Sequence, residues 1–157
     1  MVEVRGAGAA FGTPRNRGKN TTLLASMTLS GMGPCLAVVG GTTKEVFEAY
    51  VEGVLAPALR PGQVVVVDNL WAHKGEEVRE LIEARGCEML FLPPYSSPEY
   101  NPIEEAFSKI KGLLGKAEAR TREALTEAMG ATISAVTAGD ARGFFEHCGY
   151  RLLGQLL

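Results

Sequence analysis

Apolar and polar positions fall into two periods along the chain. TTLLASMTL (21–29) and PCLAVVG (34–40) are short apolar runs joined through SGMG, the pattern of a β-hairpin. Between 42 and 60 the period becomes helical. Val46, Phe47, Tyr50, Val51 and Val54 share a face, and Thr42 or Thr43 can cap the start. VVVVD (64–68) is an unbroken β-branched run, as in a strand buried on both faces. KGEEVRELIEARG (74–86) returns to helical spacing through Val78, Leu81 and Ile82, with Gly86 as its stop. CEMLFLPP (87–94) reads as a short strand ended by prolines. Ile103, Phe107, Ile110 and Leu114 then form a helical stripe, and the segment 121–150 reads as one long helix and one short. Residues 1–20 are rich in glycine and keep no period beyond Val2 and Val4. They are expected to form an irregular basic arm, at most a short strand, ahead of a domain spanning 21–157. The order of elements predicts an α/β fold with a mixed sheet flanked by helices.

Bulk properties narrow the class. The 157 residues fit one domain with a sizeable core, and 46% hydrophobic against 22% charged residues is ordinary for a globular chain. No apolar run approaches the roughly 18 residues that span a bilayer, and the N-terminus lacks the apolar stretch of a secretory signal. Cys35, Cys87 and Cys148 are dispersed and odd in number, as expected of thiols in a reducing cytoplasm. A net charge of −2 does not by itself mark a nucleic-acid binder. Basic residues do cluster, in RNRGK (15–19) and in KIKGLLGKAEARTR (109–122). Such clusters are usually solvated surface and only weakly point to phosphate contacts.

Candidate chemistry centres on two acids. Asp68 ends the valine strand and is one of only two aspartates in the chain, with Asp140. Ligands of open α/β sheets collect beyond the carboxyl ends of strands, where an Asp can serve as a metal ligand on a rigid base. It can equally open the turn, and from spacing alone that plainer reading prevails. Glu104 lies in NPIE: Asn101 suits an N-cap, Pro102 the first helical position, and Glu104 the reciprocal position of a capping box. That explains Glu104 without chemistry, although a first-turn carboxylate can also bind a metal.

DN–x–x–AH, then LPPYS, then NPIEEAFSKIK, in that order, resembles the catalytic core of the bacterial insertion-sequence transposases of the mariner superfamily. The likeness extends from about RGKNTTLLASMTLSG through VLAPALRPGQVVVVDN to DARGFFEHCGY. It implies a DDE endonuclease with a ribonuclease-H-like sheet, in which Asp68 is the second catalytic acid and Glu104 the third. The 35 residues between them are one more than the family's usual spacing; the extra residue falls in YSSP. The resemblance further implies Mg²⁺ or Mn²⁺ as cofactor, transposon-end and target DNA as partners, and cleavage followed by strand transfer. Hard oxygen ligands suit those ions, which clamp the attacking and leaving oxygens of a phosphodiester.

The family's first Asp has no counterpart, since no Asp precedes position 68, and the flanks of Glu3 do not match the family's first strand. The sheet is therefore expected to lack its first, central strand unless Val2–Val4 fills the gap or another chain supplies it. The chain alone is expected not to cleave DNA. A homodimer or a complementing segment from an upstream reading frame is the expected partner. The alternative is a non-catalytic DNA-binding or assembly module derived from a transposase. A receiver-like signalling domain, with Asp68 as phosphoacceptor, leaves NPIEE unexplained.

The remaining candidates are supporting ones. Arg15, Arg17 and Lys19 are the preferred DNA contacts because flexible basic arms suit backbone binding, with Lys109 and Lys111 behind them. Asn69 and His73 can orient Asp68 or shape its turn, and Trp71 can stack on a base or pack in the core. His147 and Cys148 are expected to be packing residues.

Overall fold

The computed structural model describes residues 20–68, 75–92 and 101–150 in full and 3–11 by their backbone. Five strands form one mixed sheet: β1 (Glu3–Phe11), β2 (Thr21–Thr28), β3 (Gly31–Val39), β4 (Val64–Val67) and β5 (Glu88–Phe91), in the order β3-β2-β1-β4-β5. Strands β1, β2 and β3 run antiparallel in turn, whereas β1–β4 and β4–β5 are parallel. The helices are α1 (Lys44–Tyr50), α2 (Glu76–Glu83), α3 (Pro102–Ala117), α4 (Arg122–Ser134) and α5 (Ala138–His147).

The expected hairpin is β2–β3, and its turn requires Gly31, at φ +120°. The helix expected over 42–60 is composite. It begins at Lys44 under the Thr43 cap, passes into a π-helical turn (Val51–Leu55), and closes in a 3₁₀ turn (Ala56–Ala58) that holds Pro57. A proline has no N–H to continue an α-helical ladder, so the last turn tightens there.

The central strand is present. Residues 3–11, expected to belong to an irregular arm, pair along β2 from Arg5↔Met27 to Phe11↔Thr21 and along β4 from Glu3↔Val64 to Gly6↔Val67. The gap expected in the sheet is thus filled by this chain, over a longer span than Val2–Val4. EVRGAGAAF has little intrinsic strand preference. Pairing with a neighbour on both sides outweighs that weakness, and α3 lies across this strand.

The core has two faces. Leu23, Ala25 and Met27 of β2 meet Ile103, Phe107 and Ile110 of α3 together with Met129 and Phe145 of α4 and α5. Leu24 of β2 points the other way and joins Val65, Val67, Phe47, Tyr50 and Ile82 against α1 and α2. This is the period-two alternation of a sheet covered on both sides. Val64 and Val66 take the face opposite Val65 and Val67, packing with Leu92. No helix among the described residues is long and apolar enough to cross a membrane.

Candidate active site

Asp68 directly follows the buried β4 strand and is itself partly buried. Continuing the alternation of Val64 and Val66 directs it to the face that carries α3. There α3 begins with Asn101 at its N-cap and Pro102 at its first position, and Glu104 sits in the first turn. Asn101 has φ −118° and ψ 99°, the extended backbone that a residue before proline adopts. The side of α3 bearing Ile103, Phe107 and Ile110 is fully buried, which fixes the rotation of the helix and leaves Glu104 half-buried beside it.

Glu104 feels the charge of Asp68. Burial raises the Glu104 carboxyl above the ordinary carboxylate range, the charge of Asp68 raises it further, and Lys111 partly opposes both. This is the behaviour of carboxylates brought to one place with too little positive charge to balance them.

The capping box expected at Glu104 does not form. Asn101 makes no side-chain cap hydrogen bond; the Glu104 N–H donates instead to the Asn101 main-chain carbonyl at 3.1 Å. Asn101 is 5% exposed, and among the described residues its Oδ1 is buried without a hydrogen-bond partner. The purely local explanation of Glu104 therefore lapses.

No acid of β1 stands level with Asp68. Gly6 pairs with Val67, so extension of the register brings Ala7 level with Asp68. Glu3 pairs with Val64, and the four strand residues from there to Asp68 set it about 13 Å away along the sheet at roughly 3.3 Å per residue. Among the described residues no group of three His, Cys, Asp or Glu side chains is placed to hold a metal ion. Two hard carboxylate oxygens suit Mg²⁺ or Mn²⁺. The described acids thus fit part of a divalent-cation site.

The two lysines proposed for phosphate contacts differ. Lys109 Nζ bonds Asp140 Oδ2 at 2.5 Å and the Ala135 carbonyl at 3.1 Å, tying α3 to α5. Lys111 is exposed, two helical turns beyond Glu104. His147, expected only to pack, bonds Glu105 across the α3–α5 contact through Nδ1. Sequence pattern held no signal for either cross-helix tie, because 31 and 42 residues separate the partners. Arg15, Arg17, Lys19, Asn69, Trp71 and His73 lie outside the described residues. None of the three cysteines is in a disulfide among the described residues, and Cys87 and Cys148 are buried.

Asp68 thus follows the inner strand β4, and Glu104 sits on the first turn of α3, over a sheet in the order 3-2-1-4-5. The chain belongs to the DDE superfamily endonucleases, whose family model matches residues 4–126. Its fold is that of the ribonuclease-H-like catalytic domain of the Mos1 mariner transposase, with a TM-score of 0.72 at 17% identity over 94% of this chain and 77% of that one. The Mos1 paired-end complex with the left transposon end matches with a TM-score of 0.75 at 18% identity, over 94% of this chain but 52% of that chain. This chain thus spans about half the length of the transposase in that complex. The Mos1 catalytic domain with raltegravir and Mn gives a TM-score of 0.72 at 16% identity, covering 94% of this chain and 79% of that chain. No curated protein sequence matches.

Proposed function

We propose that this chain is the catalytic domain of a DNA transposase, in which Asp68 and Glu104 hold a divalent cation against a phosphodiester of the transposon end. The observation that carries the reading is the placement of Asp68 at the end of the buried β4 strand and of the half-buried Glu104 in the first turn of α3, where the charge of Asp68 helps raise the Glu104 carboxyl. Mos1 complexes with transposon-end DNA and with Mn support the choice of substrate and ion. A bound Mg²⁺ or Mn²⁺ supplies charge neutralisation at the phosphoryl oxygens and lowers the pKa of a coordinated water.

The chain's own residues supply placement. The β4 strand, buried along its whole length, holds Asp68 rigidly, and the Ile103–Phe107 anchor holds Glu104 opposite. Lys111 extends the same face of α3 with a positive charge suited to a DNA phosphate, whereas Lys109 serves the α3–α5 contact. Arg15, Arg17 and Lys19 remain the proposed backbone contacts before β2, with Asn69 and His73 as supports of Asp68.

Because Ala7 is level with Asp68 where an acid is needed, the chain by itself is inactive or nearly so. The missing acid then comes from a complementing segment, and the chain works on DNA as a homodimer or with that segment. The test is nicking of supercoiled plasmid in Mn²⁺. No nicking is expected from the chain alone, and nicking that vanishes in Glu104→Gln would show that it needs no further acid. A chain that binds neither DNA nor Mn²⁺ would remove the transposase reading and leave an assembly module.

A further inference from the structure

We infer that Asn101 is a ligand of the same cation, through its side-chain amide oxygen; this rests on the reading of Asp68 and Glu104 as a metal site. Asn101 occupies the N-cap of α3, where an Asn side chain ordinarily accepts from the second or third N–H of the helix. Here it accepts from neither. The Glu104 N–H is taken by the Asn101 main-chain carbonyl, Pro102 has no N–H, and Oδ1 is left buried without a partner among the described residues. Native structures rarely leave a buried polar oxygen so, and one that does persist calls for an ion, a water or a function.

The surroundings select a cation. An N-cap side chain and the residue three positions later lie together at the mouth of the helix, the geometry that makes capping boxes possible. At this mouth the residue is Glu104, half-buried in the first turn of α3. Amide oxygens are hard donors that bind Mg²⁺, Mn²⁺ and Ca²⁺ alongside carboxylates. With Ala7 level with Asp68, Asn101 supplies an oxygen that the central strand does not. The set becomes two carboxylates and one neutral amide, which neutralises a divalent ion. The positive end of the α3 dipole opposes a cation here, and both acids are needed to outweigh it.

The experiment is Mn²⁺ titration of the full chain, followed by electron paramagnetic resonance, with thermal melting in EDTA as the folding control. Asn101→Ala is expected to weaken Mn²⁺ binding about tenfold or more without lowering the metal-free Tm. Asn101→Asp, which keeps an oxygen in place, is expected to bind Mn²⁺ at least as tightly as the wild type. Wild-type affinity in folded Asn101→Ala, with binding lost in Asp68→Ala, would overturn this inference alone. Affinity unchanged in Asp68→Ala, or no Mn²⁺ binding by the wild type, would overturn the metal-site reading and this inference with it. Should Asn101→Ala fail to fold, weaker binding in Asn101→Asp together with a raised metal-free Tm would assign the residue to capping and overturn the inference.

Discussion

Helices α3 and α5 begin with the same kind of sequence and end up in opposite chemical states. Each has a polar N-cap followed three residues later by an acid: Asn101 and Glu104 in one, Thr137 and Asp140 in the other. At α5 the box closes. Asp140 N–H donates to the Thr137 hydroxyl, and Thr137 N–H donates to Asp140 Oδ2, each at 3.0 Å. Lys109 adds an ion pair, and its hydrogen bond, the largest cause, together with those from Thr137, holds the Asp140 carboxyl below the ordinary range. At α3 nothing closes. Burial and Asp68 hold Glu104 above that range, and the Asn101 oxygen stays unmatched among the described residues. A satisfied carboxylate is a structural part. An acid kept at electrostatic cost beside another acid is the kind of group that function maintains.

The largest expected contrast comes from adding metal. Mn²⁺ at one hundred times its Kd should stabilise the wild type by about 2.7 kcal/mol, a Tm rise of roughly 5–10 °C for a domain of this size. Asp68→Asn and Glu104→Gln should lose that rise, while Asp140→Asn keeps it. A rise preserved in Glu104→Gln would erase the distinction between the two helix starts.

The caps come next. Thr137→Ala removes a formed cap bond and should cost about 1 kcal/mol, or 2–4 °C in Tm. Asn101→Ala in EDTA removes no such bond, so its melting point should not fall; equal losses would mean that the two starts are built alike.

The pH dependence should also separate them. Glu104 has a raised folded value, so the native state holds its proton longer than the unfolded chain does. Its contribution to stability is present below the unfolded carboxylate value and declines as pH rises through the raised one. Asp140 has a lowered value, so its contribution is present above the unfolded value and is lost as pH falls through the folded one. In metal-free melts Glu104→Gln should therefore exceed the wild type at neutral pH, and Asp140→Asn should fall below it. The opposite order for either variant contradicts the assignment.

The smallest effect concerns the two lysines of α3. Lys111→Ala should weaken DNA binding and lower its salt slope by about 1. Lys109→Ala should leave the slope alone and lower Tm by less than Thr137→Ala, because a partly solvent-exposed ion pair is worth little. A reduced slope in Lys109→Ala would return it to the DNA surface.

Much of this was legible in pattern. The β2–β3 hairpin, the strand leading to Asp68, the α3 stripe and the final helix pair all follow from periodicity, because each buries a face that its own residues define. The resemblance in DN, LPPYS and NPIE led to the family the chain belongs to. Strand β1 was missed because Gly and Ala carry little strand signal, and its place was decided by the two ladders waiting on either side. The His147–Glu105 and Lys109–Asp140 ties were missed because cross-helix partners far apart in sequence leave no local trace.

Local sequence determined which segments are strands and helices, and that Asp68 and Glu104 stand at their ends, since apolar period and proline placement act within a few residues. It suggested a capping box at Asn101 and Glu104, which does not form, whereas the box that forms lies at Thr137 and Asp140. Only the packed structure decided that Asp140 is satisfied while Glu104 and Asn101 are not. The difference lies in what faces each helix start: a lysine from α3 at one, and the carboxylate that ends β4 at the other.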